Sequence, residues 1–278
     1  MIRPRKLLVF DLETVPDVAL ARELWGERCE GLDDMAVTQL IWDTMKEQNS
    51  SGSEFPRIPF HKIVAIGCLQ ASIEDMGGAF ESYQFERLGC IGEAGDNEEA
   101  LVKAWFEYGA KMMRAGTPVR LVGFNTRGFD VPTLKMRALK HGVGASWLFQ
   151  AGDKWSNYNA RYDMVWHVDM LDVVSDFGAA RGAGKLDEVC VLAGLPGKLD
   201  VEGSKVGEMF AAGKVQEIRD YCETDVLNTY LLYLKYQHLT GVLQPSALAA
   251  EEARVREWLA GEDKPHLAAF AGAWKRVC

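Results

Sequence analysis

Five residues in three separate segments of the chain could do chemistry together. Asp11 and Glu13 stand two apart directly after a short apolar run, Asp130 follows another apolar run, and Tyr221 stands four residues before Asp225. If the first run is a strand, the carboxylates of Asp11 and Glu13 project from one face and repel each other. A divalent cation that prefers oxygen ligands would relieve this repulsion. Because D-x-E also occurs by chance at strand ends, the pair alone leaves metal binding open.

The other three residues are predicted to lie on a helix or near its start. Asp130 comes just after the fourth predicted strand, and Pro132 favours the start of a helix there. An acid in that position could also simply complement the helix dipole. Tyr221 and Asp225 fall on a long predicted helix, where a spacing of four places both side chains on one face, one turn apart.

Apolar runs and helical periodicity predict the elements that must position these side chains. Strands are predicted at residues 7–10, 62–69, 78–86, 120–124 and 165–171. Helices are predicted within 17–47, from 97 onward, and at 132–140, 172–177, 185–193 and 215–238, with two more after Gly241. The polar loop 49–53 is interpreted as a surface excursion or as a flap over a substrate.

Composition and charge argue against several classes of protein. The chain has 278 residues, of which 48% are apolar and 26% charged, as in an ordinary soluble globular protein. No apolar run reaches membrane-spanning length, and the first stops at Asp11, too early for a signal peptide, so a cytoplasmic location is expected. A net charge of −9 argues against a broad basic surface for duplex DNA, but it leaves open a local groove for a strand end.

The cysteines are scattered and show no C-x-x-C spacing, and the five histidines are equally dispersed. This pattern favours free thiols over a disulfide framework and argues against zinc chemistry. The six cysteines are Cys29, Cys68, Cys90, Cys190, Cys222 and Cys278.

Three motifs occur in a fixed order along the chain. They are Phe10-Asp11-Leu12-Glu13-Thr14, then Gly123-Phe124-Asn125 with Phe129-Asp130, then Asp220-Tyr221-Cys222-Glu223-Thr224-Asp225-Val226. Together they resemble the DEDD superfamily of 3′–5′ exonucleases, and the tyrosine four residues before the last aspartate resembles its DEDDy branch. Within that branch, residues 5–240 look like the bacterial stand-alone proteins similar to the exonuclease domain of family B DNA polymerases.

This resemblance implies an architecture. It implies an α/β, ribonuclease H-like fold, with a central mixed sheet of about five strands flanked by helices. Residues 1–240 would form the exonuclease domain, and residues 241–278 would form a C-terminal helical extension packed on the same domain.

The resemblance also implies a chemistry. It implies hydrolysis of phosphodiester bonds from a 3′ end, with release of nucleoside 5′-monophosphates and two Mg²⁺ or Mn²⁺ ions per site. The metal ligands would be Asp11, Glu13, Asp130 and Asp225. Tyr221 would orient the attacking water. By the same resemblance, Leu12 and Thr14 would contact the terminal nucleotide, and Asn125 and Phe129 would support the substrate site.

Several alternatives stay open at this point. The expected substrate is single-stranded DNA, the alternatives being RNA or short oligoribonucleotides, or a non-catalytic module that binds nucleic acid or a partner. The aromatic loop 152–163, with Trp155, Tyr158 and Tyr162, could stack bases or pack on the core. Arg181 or Lys185 could reach a phosphate. A homo-oligomer or a protein partner is also possible.

Overall fold

The computed structural model describes residues 3–114, 118–180, 182–199 and 203–274. Arg181 and the last four residues of the expected C-terminal extension, which include Cys278, lie outside this description. Five strands are present in the described part of the chain: β1 (Lys6–Pro16), β2 (His61–Asp75), β3 (Glu81–Cys90), β4 (Val119–Gly123) and β5 (His167–Asp169).

The α-helices follow in chain order. They are α1 (Val18–Trp25), α2 (Asp34–Gln48), α3 (Glu98–Arg114), α4 (Asp130–His141), α5 (Ser146–Gln150), α6 (Met170–Val174), α7 (Leu186–Leu192), α8 (Val206–Ala211), α9 (Val215–Leu239), α10 (Pro245–Ala260) and α11 (Pro265–Trp274). Short 3₁₀ turns lie at Gly26–Cys29, Ile58–Phe60 and Gly203–Lys205.

The strands form one mixed sheet in the order β3-β2-β1-β4-β5. Strand β2 runs antiparallel to β1 and β3, whereas β4 is parallel to both β1 and β5. With helices on both faces, this arrangement confirms the ribonuclease H-like α/β fold and its five-stranded mixed sheet.

Strand β1 is the centre of the sheet and is buried on both faces. Leu7 and Val9 join the apolar cluster under α9, α10 and α11, whereas Leu8 and Phe10 join the cluster under α3 and α4. The continuous apolar run is therefore explained by alternation of side chains between two covered faces. The same alternation carries Asp11 towards α9.

Strand β5 and the helix after it differ from the sequence prediction. The strand covers three residues rather than 165–171, because the Asp169 side chain accepts a hydrogen bond from the Leu171 N–H and starts α6 there. The helix ends at Val174 rather than at residue 177, since Asp176 and Phe177 have φ angles of 49° and 56°.

The segment between β1 and β2 is not one helical region. Strand β1 continues to Pro16, and Asp17 and Asp33 then cap two separate helices by accepting hydrogen bonds from backbone N–H groups. Gly31, with a φ of 72°, turns the chain between them.

The last two helices pack against the sheet and α9. The buried Glu251 of α10 accepts hydrogen bonds from the Phe85 N–H of β3 and the Tyr230 hydroxyl of α9. The division of the chain at residue 240 stays a prediction. Among the residues that the structure describes, no helix is both long and apolar enough to cross a membrane.

Candidate active site

Strand β1 presents Asp11 and Glu13 towards α9. Oxygen atoms of these two carboxylates and the sulfur of Cys222 all lie within 4.8 Å of one another. The Cys222 thiol is 3.7 Å from Asp11 Oδ2 and accepts a hydrogen bond from the Gly67 N–H at 3.2 Å. A side chain at position 67 would place its Cβ 2.8 Å from that sulfur, so glycine permits the close approach of α9 to the sheet.

Asp130 is the first residue of α4 and is tied to β1. Its Oδ1 accepts a hydrogen bond from the Leu12 N–H at 3.0 Å, and the side chain is buried. The loop before it is shaped by Asp169 of β5, whose carboxylate accepts hydrogen bonds from the N–H groups of Asn125 and Arg127. Asn125 has a φ of 62° there. These hydrogen bonds hold the turn between β4 and α4, and the turn positions Asp130.

Helix α9 supplies Tyr221 and Asp225 on the face that meets β1. Both side chains are buried, and the Tyr221 hydroxyl interacts with the Asp225 carboxylate. The other carboxylate oxygen, Oδ1 of Asp225, is buried without a hydrogen-bond partner. Asp130 and Asp225 lie outside the compact group formed by Asp11, Glu13 and Cys222, but the charges of both act on Asp11.

Burial raises the pKa of every acid in this cluster, and repulsion from neighbouring cluster acids adds to it at Asp11 and Glu13. Burial raises the pKa of Asp11 well above its usual range, and the charges of Asp130 and Asp225 add to it. Burial, followed by the charge of Asp11, does the same for Glu13. Burial also raises the pKa of Asp130 to about 8 and that of Asp225 to about 6. The cluster resists ionisation as long as no cation is bound.

The pKa of Tyr221 is also raised, first by burial and then by the charges of Asp225 and Glu13. The hydroxyl is therefore protonated at neutral pH. It is a hydrogen-bond donor at the edge of the acidic cluster.

Lys198 is a site residue that the sequence reasoning missed. Its ammonium nitrogen lies 5.4 Å from the centre of the Tyr221 ring, and its charge lowers the pKa values of Asp11, Glu13 and Asp225. Lys198 follows α7 in a segment without regular structure, so no periodicity marks it. Cys222 was also missed, although it sits next to Tyr221 in the third motif.

The predicted substrate-contacting residues lie on the α4 side of this cluster. The Leu12 side chain is buried in the core, and only its backbone N–H is tied to the site. The Thr14 hydroxyl is hydrogen-bonded to His61, and the half-buried Phe129 ring packs on that histidine. Asn125 is exposed at the end of β4.

A family of known proteins matches most of the chain. Residues 53–274 match the family described as predicted 3′–5′ exonucleases related to the exonuclease domain of PolB. The chain belongs to this family. The match begins after β1, so Asp11 and Glu13 precede the part of this family member that is matched. No curated protein matches the chain.

Two solved structures resemble this PolB-related exonuclease family member. The family B DNA polymerase from the archaeon Pyrobaculum calidifontis is 18% identical with a TM-score of 0.46, covering 96% of this chain and 27% of the polymerase. The zinc-bound complex of E. coli ExoI with single-stranded DNA is 12% identical with a TM-score of 0.30, covering 84% of this chain and 44% of ExoI. The chain thus spans less than half of either protein.

The acidic cluster fits a hard divalent cation. Asp225 Oδ1 is buried without a partner, Asp11 and Glu13 lie side by side, and the charges of Asp130 and Asp225 act on Asp11. A bound cation would satisfy that oxygen and offset the repulsion between the ionised acids. The donors are mainly carboxylate oxygens, the type that Mg²⁺ and Mn²⁺ prefer.

Proposed function

We propose that this chain is a metal-dependent 3′–5′ exonuclease of the DEDDy type that shortens single-stranded DNA from its 3′ end. The observation that supports this best is the meeting of four acids and a protonated tyrosine from β1, α4 and α9 in one buried cluster. Such a cluster is costly to ionise without a cation, and the chain belongs to a family of PolB-related exonucleases.

In this proposal the four acids hold two ions, Mg²⁺ or Mn²⁺. Asp11, Glu13 and Asp225 would supply direct ligands, and Asp130 would act through water. When bound, such a pair supplies an activated water and offsets the charge on the attacking and leaving oxygens. Cys222 contributes a thiol hydrogen bond to Asp11 and stays protonated, because a hydrogen bond with Cys90 and burial raise its pKa.

Tyr221 positions the attacking water in this proposal. Its raised pKa makes it a poor base, so its hydroxyl acts by orientation. Water adds to the terminal phosphorus, the bond to the 3′-oxygen of the preceding nucleotide breaks, and that oxygen takes up a proton. The products are a nucleoside 5′-monophosphate and a strand one nucleotide shorter with a new 3′-hydroxyl. Lys198 lies beside Tyr221 and provides positive charge next to the acids.

The preference for a single strand is supported by the aromatic loop 152–163. Tyr158 is buried and packs on the core, but the side chains of Trp155 and Tyr162 are 79% and 72% exposed. Lys154 lies over the Trp155 ring, and Arg161 lies over the Tyr162 ring. Exposed rings with adjacent cations suit bases and phosphates of a flexible strand.

The proposal also covers the location, the assembly and the domain organisation of the chain. A cytoplasmic location agrees with the free state of the five described cysteines. A homo-oligomer or a protein partner is compatible with the proposed activity. We also propose that residues 241–278 belong with residues 1–240, because α10 is anchored on β3 and α9 through Glu251.

The test compares matched single-stranded DNA and RNA, labelled at either end, in Mg²⁺, in Mn²⁺ and in EDTA. We expect 5′-labelled DNA to give a ladder that shortens from the 3′ end only with metal, and the Asp11→Asn protein to give none. Faster loss of RNA would establish the oligoribonucleotide alternative. Metal-independent binding without loss of either polymer would establish the non-catalytic alternative.

A further inference from the structure

The thiol of Cys222, which contacts Asp11, has a second cysteine beside it. Cys90 is the last residue of β3 and is paired with Gly67 of β2, so the two residues belong to the same face of the sheet. Cys222 packs on this glycine: the Gly67 N–H donates to Cys222 Sγ at 3.2 Å, and a Cβ at position 67 would lie 2.8 Å from that sulfur. Cys90 therefore stands next to the place where Cys222 meets the sheet.

The side chain of Cys90 is directed towards α9. Its Sγ donates a hydrogen bond to the carbonyl oxygen of Arg219 at 3.5 Å, and Arg219 lies three residues before Cys222, about one helical turn along α9. The thiols of Cys90 and Cys222 are also hydrogen-bonded to each other. Two thiols from distant parts of the sequence are thus adjacent, which is the condition for a disulfide between them.

The two thiols differ in their access to solvent. Of the five cysteines that the structure describes, four are buried, whereas Cys90 is partly exposed. An oxidant in solution therefore meets Cys90 before it can reach the buried Cys222. An accessible cysteine that lies next to a second, resolving cysteine is the arrangement found in redox-sensing proteins.

We propose that Cys90 and Cys222 form a modification site for hydrogen peroxide, at which oxidation joins them in an intrachain disulfide and removes the thiol from Asp11. In the first step the Cys90 sulfur attacks one peroxide oxygen, the O–O bond breaks and one water leaves, so that Cys90 becomes a sulfenic acid. In the second step the Cys222 sulfur attacks the Cys90 sulfur, the S–O bond breaks, and the oxygen leaves with the Cys222 proton as a second water. The two thiols lose two electrons, and these reduce one peroxide to two waters.

The disulfide acts on the acidic cluster by removing a hydrogen-bond donor. In the reduced protein the Cys222 thiol lies 3.7 Å from Oδ2 and 3.5 Å from the backbone oxygen of Asp11. A disulfide sulfur carries no hydrogen, so Asp11 loses this donor. The new bond also ties β3 to α9, directly beside Tyr221. The oxidation itself goes beyond the proposed function, whereas its effect on cleavage rests on that function.

The experiment first measures whether the bond forms. The reduced protein is treated with hydrogen peroxide in EDTA, free thiols are alkylated, and a tryptic digest is analysed by mass spectrometry without reduction. Trypsin releases Cys90 in peptide 88–103 and Cys222 in peptide 220–235. We expect these peptides to be joined, lighter by the two hydrogens that oxidation removes, and separated by dithiothreitol. The joined pair should persist in Cys68→Ala, because Cys68 belongs to the apolar cluster on the other face of the sheet.

The second readout is the rate at which single-stranded DNA is shortened in Mg²⁺ after the peroxide has been removed. We expect the oxidised protein to cut roughly 3- to 10-fold more slowly than the reduced one, as the loss of one hydrogen bond implies. Dithiothreitol should restore the rate. Cys90→Ser keeps a donor for the Arg219 carbonyl but cannot form the disulfide, so its rate should be the same before and after peroxide.

A digest without the joined peptides, or with the joined pair only in a cross-linked dimer on a non-reducing gel, would overturn the proposal. So would an oxidised protein that contains the bond and cuts as fast as the reduced one, or a Cys90→Ser protein that peroxide slows to the same extent. If Cys90→Ser does not fold, the digest of the unmodified protein still decides whether the bond forms. The proposed exonuclease activity fails separately, if the reduced protein does not shorten DNA.

Discussion

The Asp130 carboxylate accepts a hydrogen bond from the Leu12 N–H at 3.0 Å, which ties the acid at the start of α4 to the strand that carries the other two. Leu12 lies between Asp11 and Glu13, so the contact fixes the distance of Asp130 from both. The acid of α4 is thus positioned by a backbone group whose place in β1 is set by the sheet.

Replacing Asp130 by Asn should stabilise the metal-free protein at alkaline pH. The pKa of Asp130 is raised to about 8 by burial, against about 3.9 in the unfolded chain. The folded state therefore binds more protons between these values, and its stability falls as pH rises through that window. The asparagine side chain of the variant cannot ionise and can still accept from the Leu12 N–H.

Thermal unfolding in EDTA at pH 5 and pH 8 measures this difference. We expect a small Tm advantage for Asp130→Asn at pH 5, just above the unfolded pKa, and an advantage larger by several degrees at pH 8, since 1 kcal/mol corresponds to roughly 2–4 °C in larger domains. Mg²⁺ should raise the Tm of the unmodified protein more than that of the variant. A variant that is less stable at pH 8 would contradict the raised pKa.

Replacing Glu223 by Gln should loosen the C-terminal helices without disabling the site. Glu223 of α9 is buried and accepts hydrogen bonds from Lys264 and His266 at 2.8–3.1 Å. Burial alone would raise its pKa, but these two partners outweigh burial and lower it. Its stabilising effect is therefore present at neutral pH and is lost as pH falls through the lowered pKa.

Urea unfolding at pH 7 should show a loss of about 1–2 kcal/mol for Glu223→Gln, a value reduced because Lys264 is partly exposed. The matched control is Glu217→Gln, on the same helix, where the ion pair with Lys214 is exposed and should contribute little. If both variants unfold at the same urea concentration, the buried cluster does not anchor α11.

Replacing Lys198 by Met should slow cleavage and shift its pH profile upward. The charge of Lys198 lowers the pKa values of Asp11, Glu13 and Asp225, so its removal makes these acids harder to ionise. We expect kcat/KM at pH 7 to fall roughly tenfold and the acidic limb to move to higher pH. Lys198→Arg keeps the charge and should keep the limb in place. An unchanged profile in Lys198→Met would show that the lysine does not act on the acids.

Removing the two exposed rings of the aromatic loop should weaken single-strand binding. Stacking of a base on an aromatic side chain is worth about 1–3 kcal/mol, so Trp155→Ala with Tyr162→Ala should raise the Kd for a short single strand at least about fivefold. The control is Phe80→Ala, which removes an exposed ring from the β2–β3 turn. Equal Kd values for the double variant and this control would exclude the loop from the binding surface.

Much of the fold could be predicted because its causes are local. The alternation of Leu7, Leu8, Val9 and Phe10 between two faces follows from their sequence. The bounds of strand β5 could not be predicted in this way. The strand ends at Asp169, because the carboxylate of this residue accepts hydrogen bonds from backbone N–H groups of both α6 and the β4–α4 loop. That second role joins segments that are distant in the chain and leaves no periodic pattern.

The same distinction holds for the candidate site. Tyr221 and Asp225 share a helix face, so their spacing predicts their proximity. Lys198 and His61 reach the site from an irregular segment and from a neighbouring strand, and only the folded chain brings them there. The closeness of Cys222 to Asp11 depends on the absence of a side chain at Gly67.

The most direct measurement is the rate at which 5′-labelled single-stranded DNA is shortened in Mg²⁺ by the unmodified protein, Asp225→Asn and Glu217→Gln. We predict a ladder from the 3′ end that EDTA abolishes, a rate at least about 1,000-fold lower for Asp225→Asn, and an unchanged rate for Glu217→Gln. Asp225 and Glu217 lie on the same helix, and only Asp225 belongs to the acidic cluster. Equal rates for the two variants, or a ladder that persists in EDTA, would contradict a metal-dependent exonuclease at this site.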